Sequence, residues 1–222
     1  VSQKTSEQIN EEISQGIRSI RELSFEHKKL YGEWPGALFD GQPAMPPPYL
    51  VRACQVLTSR MELLRRMPTG GRFAEIGTLN GDFARHINQI VKPVELHIFD
   101  LTFDRLTEEN KAILDDVGVH WHEGFSWVTM KKMPENFFDV VYVGGDHAYE
   151  YVLKNLDAAY RVTKAGGRII CNDYTGWSQA GCTPYGVYWA VNAFATRHKL
   201  PFEFLSLQLN GFHDVGLIVK KQ

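Results

Sequence analysis

From Arg72 onward the sequence alternates repeatedly between short runs rich in β-branched or aromatic residues and longer stretches with helical spacing. RFAEI (72–76), ELHIFD (95–100), VHWHE (119–123), FDVVYV (138–143) and GRIICN (167–172) read as strands. The stretches at 82–91, 107–116, 126–132 and 147–163 read as the helices between them. Strand and helix in strict alternation leave few solutions, because each helix is a crossover that returns the chain to the same edge of the sheet. A doubly wound, mostly parallel α/β sheet satisfies that pattern. The tail breaks the rhythm with a helix near Tyr185–His198, then FEFLSLQL (202–209), an Asn210-Gly211 turn and DVGLIVK (214–220). Asn-Gly between two strand-like runs predicts an antiparallel hairpin. Seven strands are therefore expected, the last two forming that hairpin.

The part before this alternation differs. Ile9, Ile13, Ile17, Ile20 and Leu23 recur at spacings of three and four, which predicts one amphipathic helix over Ser6–Leu30, with Gly32 as its stop. The stripe is aliphatic and the polar face mixes Glu with Lys and Arg, so packing on protein is expected over a membrane surface. A homodimer through these N-terminal helices is one such arrangement. GEWPGALFDGQPAMPPP (32–48) reads as a long loop, and loops of this length usually serve function. A second helix is expected over Tyr49–Arg66, with Val51, Cys54, Leu57, Met61 and Leu64 on one side. Arg60, Arg65 and Arg66 near its end could suggest a phosphate site, but a solvated face supported by the helix dipole is the preferred reading. The expected division is a helical extension with a lid loop over 1–70 and a sheet domain over 71–222.

Charge and cysteine usage exclude several classes. Lys and Arg number 24 against 26 Asp and Glu, a formal charge of −2 that lacks the basic field of a dedicated nucleic-acid binder. No apolar run approaches the roughly 20 residues that span a bilayer, and the polar start Val1–Glu12 has no signal-peptide core. Cys54, Cys171 and Cys182 are odd in number and far apart, which argues against a disulfide framework and fits a reducing cytoplasm.

In open α/β sheets ligands bind beyond the carboxyl ends of the strands. That rule selects five places. In FAEIGTLNGDFARHI, Gly77 and Gly81 flank a strand-to-helix turn that lets a ligand approach the backbone, with Glu75, Thr78 and Asn80 around it. No Gly-Lys-Ser/Thr follows, so it is not a P-loop, and the three-residue gap differs from the dinucleotide fingerprint. Asp100, followed by Leu101, closes HIFD, where an acid can accept both ribose hydroxyls or simply cap a turn. In HEGFSW, Phe125 suits a purine face and Ser126 offers a hydroxyl. His120 and His122 share a strand face, yet two histidines without a third ligand more often do nothing with metal. FDVVYVGGDHAYE brings Asp146 and His147 to the sheet mouth, where histidine suits general-base work and Asp146 could equally cap the next helix. In GGRIICNDYTGW, Asn172 and Asp173 offer oxygen ligands for a hard cation such as Mg²⁺, or loop caps.

These places in this order resemble the class I S-adenosylmethionine-dependent methyltransferases, within them the small-molecule and sugar O-methyltransferase branch (methyltransferase family 24-like). FAEIGTLNGDFA, HIFD and FDVVYVGGDHAYEYVLKNLDAAYRVTKAGGRIICNDY carry the match, which covers about residues 72 to 220. The resemblance implies a Rossmann-like fold in which 71–222 binds S-adenosylmethionine. It implies that Glu75, Gly77 and Gly81 wrap the methionine part, that Asp100 holds the ribose hydroxyls, and that Thr78, Asn80 and Leu101 also bind the cofactor. Phe125 and Ser126 would border the adenine, and Gly144 and Gly145 would lie beneath the sulfonium. His147, with Asp146 beside it, would take the acceptor proton, and Asn172 and Asp173 would match a divalent-metal position. Gly144 stands where the family pattern has an aspartate, which weakens the case for Mg²⁺.

The expected reaction is O-methylation of a small molecule, such as a sugar, phenol or other natural-product hydroxyl. The loops at Trp34–Pro48 and 174–184 would cover the acceptor. The alternative is a cofactor-binding protein that has lost catalysis, motivated by Gly144. A nicotinamide-dependent oxidoreductase fits less well, given the Gly77–Gly81 gap and the terminal hairpin.

Overall fold

The computed structural model describes residues 4–41, 44–208 and 210–221. Val1–Gln3 of the polar start, Gln42 and Pro43 of the loop, Leu209 at the end of FEFLSLQL, and Gln222 lie outside the described residues. The chain divides into two compact units, Val1–Phe39 and Asp40–Gln222.

The first unit is dominated by helix α1, Ser6–Tyr31. Thr5 and Gln8 form a reciprocal capping box at its start, and Gly32 ends it in the left-handed conformation at φ 78°. Both boundaries match the sequence expectation. Ile9, Ile13, Ile17, Ile20 and Leu23 are exposed along it. At its end Phe25 meets Trp34 edge-on at 5.3 Å, and Lys28 Nζ lies 4.3 Å above the same indole.

The second unit is an eight-stranded sheet in the order β1-β9-β10-β6-β5-β2-β3-β4. Its strands are β1 (Gln55–Leu57), β2 (Arg72–Ile76), β3 (Glu95–Asp100), β4 (His120–Glu123), β5 (Phe138–Val143), β6 (Thr163–Cys171), β9 (Phe202–Ser206) and β10 (Asp214–Ile218). A separate two-stranded ribbon pairs β7 (Trp177–Ser178) with β8 (Thr183–Pro184). Strands β2 to β6 are parallel, and β10 alone runs antiparallel to β6 and β9. The helices are α2 (Pro48–Val51), α3 (Arg60–Arg65), α4 (Asp82–Val91), α5 (Glu108–Asp116), α6 (Ser126–Thr129), α7 (Tyr149–Val162) and α8 (Val187–His198).

Strand alternation makes the two faces. Ala74, Ile76, Phe99, Val141 and Val143 face the core under α7 and α8, where Val152, Leu156, Val191 and Phe194 are buried. Phe73, Ile98 and Val140 face the opposite core with Leu63 and Leu64 of α3, Ile87 of α4 and Leu114 of α5. The arrangement is the expected Rossmann-like, mostly parallel sheet with a terminal antiparallel pair. None of the described helices is long and apolar enough to cross a membrane.

Two expectations are corrected. The helix expected over Tyr49–Arg66 is instead α2, β1 and α3 in succession, and β1 adds an eighth strand, parallel to β9. Spacings of three and four across Val51, Cys54 and Leu57 mimicked one helix. Ser59, however, caps α3 through Glu62 N at 3.2 Å, which starts a new element there. The second correction concerns Arg60. It opens α3 and points inward, whereas Arg65 and Arg66 pair with Glu62 on the exposed side.

Candidate active site

The parallel strands β2 to β6 all end at the same edge, so the five glycine- and acid-bearing turns converge there. A cavity of about 760 Å³ is lined by Glu75, Gly77, Thr78, Asn80, Asp100, Leu101, Gly144, Asp146, His147, Asn172 and Asp173. A smaller one of about 210 Å³ adjoins it and is lined by Phe125, Ser126, Trp127, Tyr151 and Asn155. Both include Gly77, Asp100, Leu101, Gly145 and Asp146, so they are two ends of one cleft. Gly81 lies behind the cleft. It closes the turn by donating to Thr78 O at 2.9 Å and stands against Asn110.

The glycine turn is tight for a stated reason. Gly77 has φ 80°, and a Cβ there would sit 2.6 Å from both Gly144 O and Gly145 Cα. The β2 and β5 turns therefore touch backbone to backbone, which no larger residue permits. Asp100 is fixed from both sides: Thr78 N donates to Oδ2 at 2.8 Å and Leu101 N to Oδ1 at 2.7 Å. Each oxygen keeps a further lone pair for a ligand hydroxyl.

Glu75 is 1% exposed, and neither carboxylate oxygen has a hydrogen-bond partner. Thr78 Oγ1 beside it is also buried and unpartnered. Burial, with the negative charge of Asp100 added, raises the Glu75 carboxyl to about 8. Buried polar groups are normally satisfied, so this pair marks a place shaped for a polar or cationic ligand group. In the smaller end of the cleft Ser126 Oγ donates to Asn155 Oδ1 at 2.5 Å. Phe125 stacks on Trp127 at 4.7 Å and Trp127 on Tyr151 at 5.5 Å, which gives a row of aromatic faces.

His147 stacks on Tyr185 at 4.3 Å and an interplanar angle of 3°. Its Nε2 lies 3.3 Å from Asp173 Oδ2 without the alignment of a hydrogen bond. Burial lowers the His147 pKa against the opposing pull of Asp173 and Asp146, so the ring is a neutral imidazole at neutral pH. Asp146 Oδ1 accepts from Ala148 N at 2.7 Å and so holds the turn into α7.

Asn172 and Asp173 face a cation that belongs to the chain. Arg60 Nη2 donates to Asn172 Oδ1 at 2.9 Å and lies 3.6 Å from Asp173 Oδ1. The same guanidinium forks onto Asp214, with Nε at 2.7 Å and Nη2 at 2.8 Å, and Asp214 is 0% exposed. Tyr142 Oη adds a bond to Asp214 at 3.0 Å. Burial opposes the Arg60 charge, but the Asp214 bond and the surrounding anions more than offset it, and its pKa rises.

Sequence reasoning missed Arg60, Asp214 and Tyr142, and the contribution of the β9–β10 loop, whose Gln208, Asn210 and Phe212 line the cavity. The available signal was an aspartate opening the apolar strand DVGLIVK, unusual at a buried position, and the polar tip of a tyrosine inside FDVVYV. Away from the cleft, His120 and His122 do share a face, and His97 of β3 lies beside both.

Residues 74–174, from β2 to the turn after β6, match the family model described as a methyltransferase domain. No curated protein sequence matches the chain. An O-methyltransferase family protein from Burkholderia thailandensis superposes with a TM-score of 0.55 at 12% identity, over 72% of this chain and 55% of that one. The tRNA methyltransferase TrmK of B. subtilis gives 0.52 at 12% identity, over 75% and 67%. The pyocyanin biosynthetic protein PhzM gives 0.51 at 16% identity, over 71% of this chain and 53% of that one. The chain thus spans about half the length of PhzM, and at these identities the likeness is one of fold.

Proposed function

We propose, for a chain whose residues 74–174 match the methyltransferase-domain family model, that it transfers the methyl group of S-adenosylmethionine to a hydroxyl of a small-molecule acceptor. The observation that carries the reading is the convergence, on one cleft, of an unpartnered buried carboxylate, a doubly anchored aspartate and a neutral histidine. The residues fit the cofactor on their own chemistry. Glu75 and Thr78 supply free polar atoms for its amino-acid end, Asp100 two oriented acceptors for a diol, and Phe125 with Ser126 an aromatic border beside a polar group. When bound, S-adenosylmethionine supplies an electrophilic methyl group on a positively charged sulfur.

The protein's part is alignment, proton removal and exclusion of water. The glycine contact between Gly77 and Gly144–Gly145 leaves the cleft floor without side chains, so a ligand can lie against the backbone. His147 takes the acceptor proton as the oxygen attacks, a role worth about 10²–10⁴ in rate. Asp173, 3.3 Å away, stabilises the imidazolium that results. Tyr185 stacked on the ring holds it in place. Asp146 serves as a turn residue that sets the path into α7.

The oxygen set does not fit a divalent ion as it stands, because the Arg60 guanidinium already occupies Asn172, Asp173 and Asp214. The reading is therefore metal-independent transfer, with Gly144 in place of an acidic ligand consistent with it. Self-association through the exposed isoleucine stripe of α1 completes the proposal, and light scattering before and after removal of residues 1–30 tests it.

The experiment for the function is calorimetric titration with S-adenosylmethionine, followed by methyl transfer to a panel of hydroxylated sugars and phenols. His147→Ala is expected to bind the cofactor normally and to lose at least 10²-fold in turnover. The acid limb of the wild-type rate profile should fall below pH 6.5 and vanish in the variant, since His147 is held below its ordinary value. Cofactor binding without turnover on any acceptor would favour the degenerate reading instead.

A further inference from the structure

Strands β3 and β4 carry a second cluster that the methyl-transfer site does not use. Glu95 and His97 stand two residues apart on β3 and so share a face, and His120 of β4 lies directly across from His97 in the register. One ligand atom from each of Glu95, His97 and His120 falls within 4.8 Å of the other two. The cluster belongs to the amino-terminal half of β3, whereas the cleft begins at Asp100 at its other end.

We propose that Glu95, His97 and His120 bind a divalent transition-metal ion, with zinc as the chemically best-suited occupant. The donor set is two imidazoles and one carboxylate, the ligand types zinc takes in three-ligand sites that keep a fourth position for water. The surroundings are arranged as a metal's outer shell would be. Arg72 Nε holds Glu95 Oε1 at 2.7 Å, which leaves Oε2 directed at His97 Nε2, 3.4 Å away. His97 Nδ1 meets His122 Nε2 at 3.0 Å. Without metal, His97 Nε2–H can donate to Glu95 Oε2; in the tautomer that instead donates Nδ1–H to His122, Nε2 presents a lone pair beside Glu95 Oε2, and a cation bound by both replaces the lost hydrogen bond. Phe137 and Phe138 pack edge-on against the His97 ring and fix its plane. His120 stacks on His97 at 4.3 Å and is exposed, so a turn of that free ring brings its nitrogen onto the same ion. Because β4 is the last strand of the sheet, the ion would tie an edge strand to its only neighbour.

The test uses the full tag-free chain, stripped with chelator and titrated with Zn²⁺ by calorimetry, with bound metal counted by elemental analysis after dialysis. One zinc per chain is expected, with a rise in Tm on binding. His120→Ala and Glu95→Gln, both at positions that are not buried, should keep the metal-free Tm, lose the zinc-induced rise and bind at least tenfold more weakly. His122→Ala should weaken binding 10–100-fold by removing the partner of Nδ1. Absence of stoichiometric zinc would overturn the proposal, as would wild-type affinity in both His120→Ala and Glu95→Gln. Neither result depends on methyl transfer, so the site stands or falls apart from the proposed function.

Discussion

Glu75 offers the sharpest physical test of the cleft. Its carboxyl is buried without a partner and is raised by burial from 4.5 to about 8. The native state therefore binds this proton more tightly than the unfolded chain does. The associated stability is fully present below pH 4.5 and is lost as pH climbs from there to about 8. At about 1.4 kcal/mol per pH unit, that interval sets an upper bound of about 5 kcal/mol. Glu75→Gln keeps the shape and removes the titration. Urea unfolding of the ligand-free protein at pH 5 and pH 8 should show the wild type losing several kcal/mol more than the variant. The same proton reports the ligand. If the carboxylate receives the ammonium group of S-adenosylmethionine, binding near pH 7 should release close to one proton from the wild type and markedly less from Glu75→Gln. Calorimetry in buffers of different ionisation enthalpy measures that release. Parallel stability curves for the two proteins would show that Glu75 is already ionised and hydrated, and would refute the reasoning.

Further outcomes follow from single contacts. Arg60→Ala removes the cation shared by Asn172, Asp173 and Asp214, so Mg²⁺ or Mn²⁺ should raise the Tm of the variant while leaving the wild type unchanged. Loss of wild-type activity on chelation would contradict a resident guanidinium. Gly77→Ala puts a methyl group 2.6 Å from Gly144 O at a left-handed φ, and should cost about 2–4 kcal/mol of stability together with most cofactor affinity. Denaturation and titration check this, and a variant that binds normally would show that the two turns can separate. Tyr185→Ala removes the ring stacked on His147 and should lower turnover more than cofactor affinity, a split that steady-state kinetics and calorimetry resolve.

Most of the sheet could be read in advance because its strands are short, β-branched and separated by single helices. FDVVYV and RFAEI sit at their expected positions for that reason. The segment 49–66 could not, since its apolar spacing is compatible with one helix, and only pairing with β9 makes Gln55–Leu57 a strand. The cleft was legible wherever a residue lies at a strand's carboxyl end, as Glu75, Asp100 and Asp173 do. Arg60 lay hidden because it acts at long range, reaching Asp214 across 154 positions of sequence. Local patterning carries no trace of such a pair. The histidine cluster was half visible: alternation placed His120 with His122, but His97 joins them only through the strand register.

The central claim is that this chain binds S-adenosylmethionine in the cleft at the carboxyl ends of β2 to β6. A crystal structure with the demethylated product, S-adenosylhomocysteine, tests it most directly. The account predicts ribose hydroxyls on Asp100, the adenine beside Phe125 and Ser126, and the amino-acid end at Glu75, with Arg60 still forked onto Asp214. A ligand bound elsewhere, or a divalent ion displacing Arg60 from Asn172 and Asp173, would contradict it.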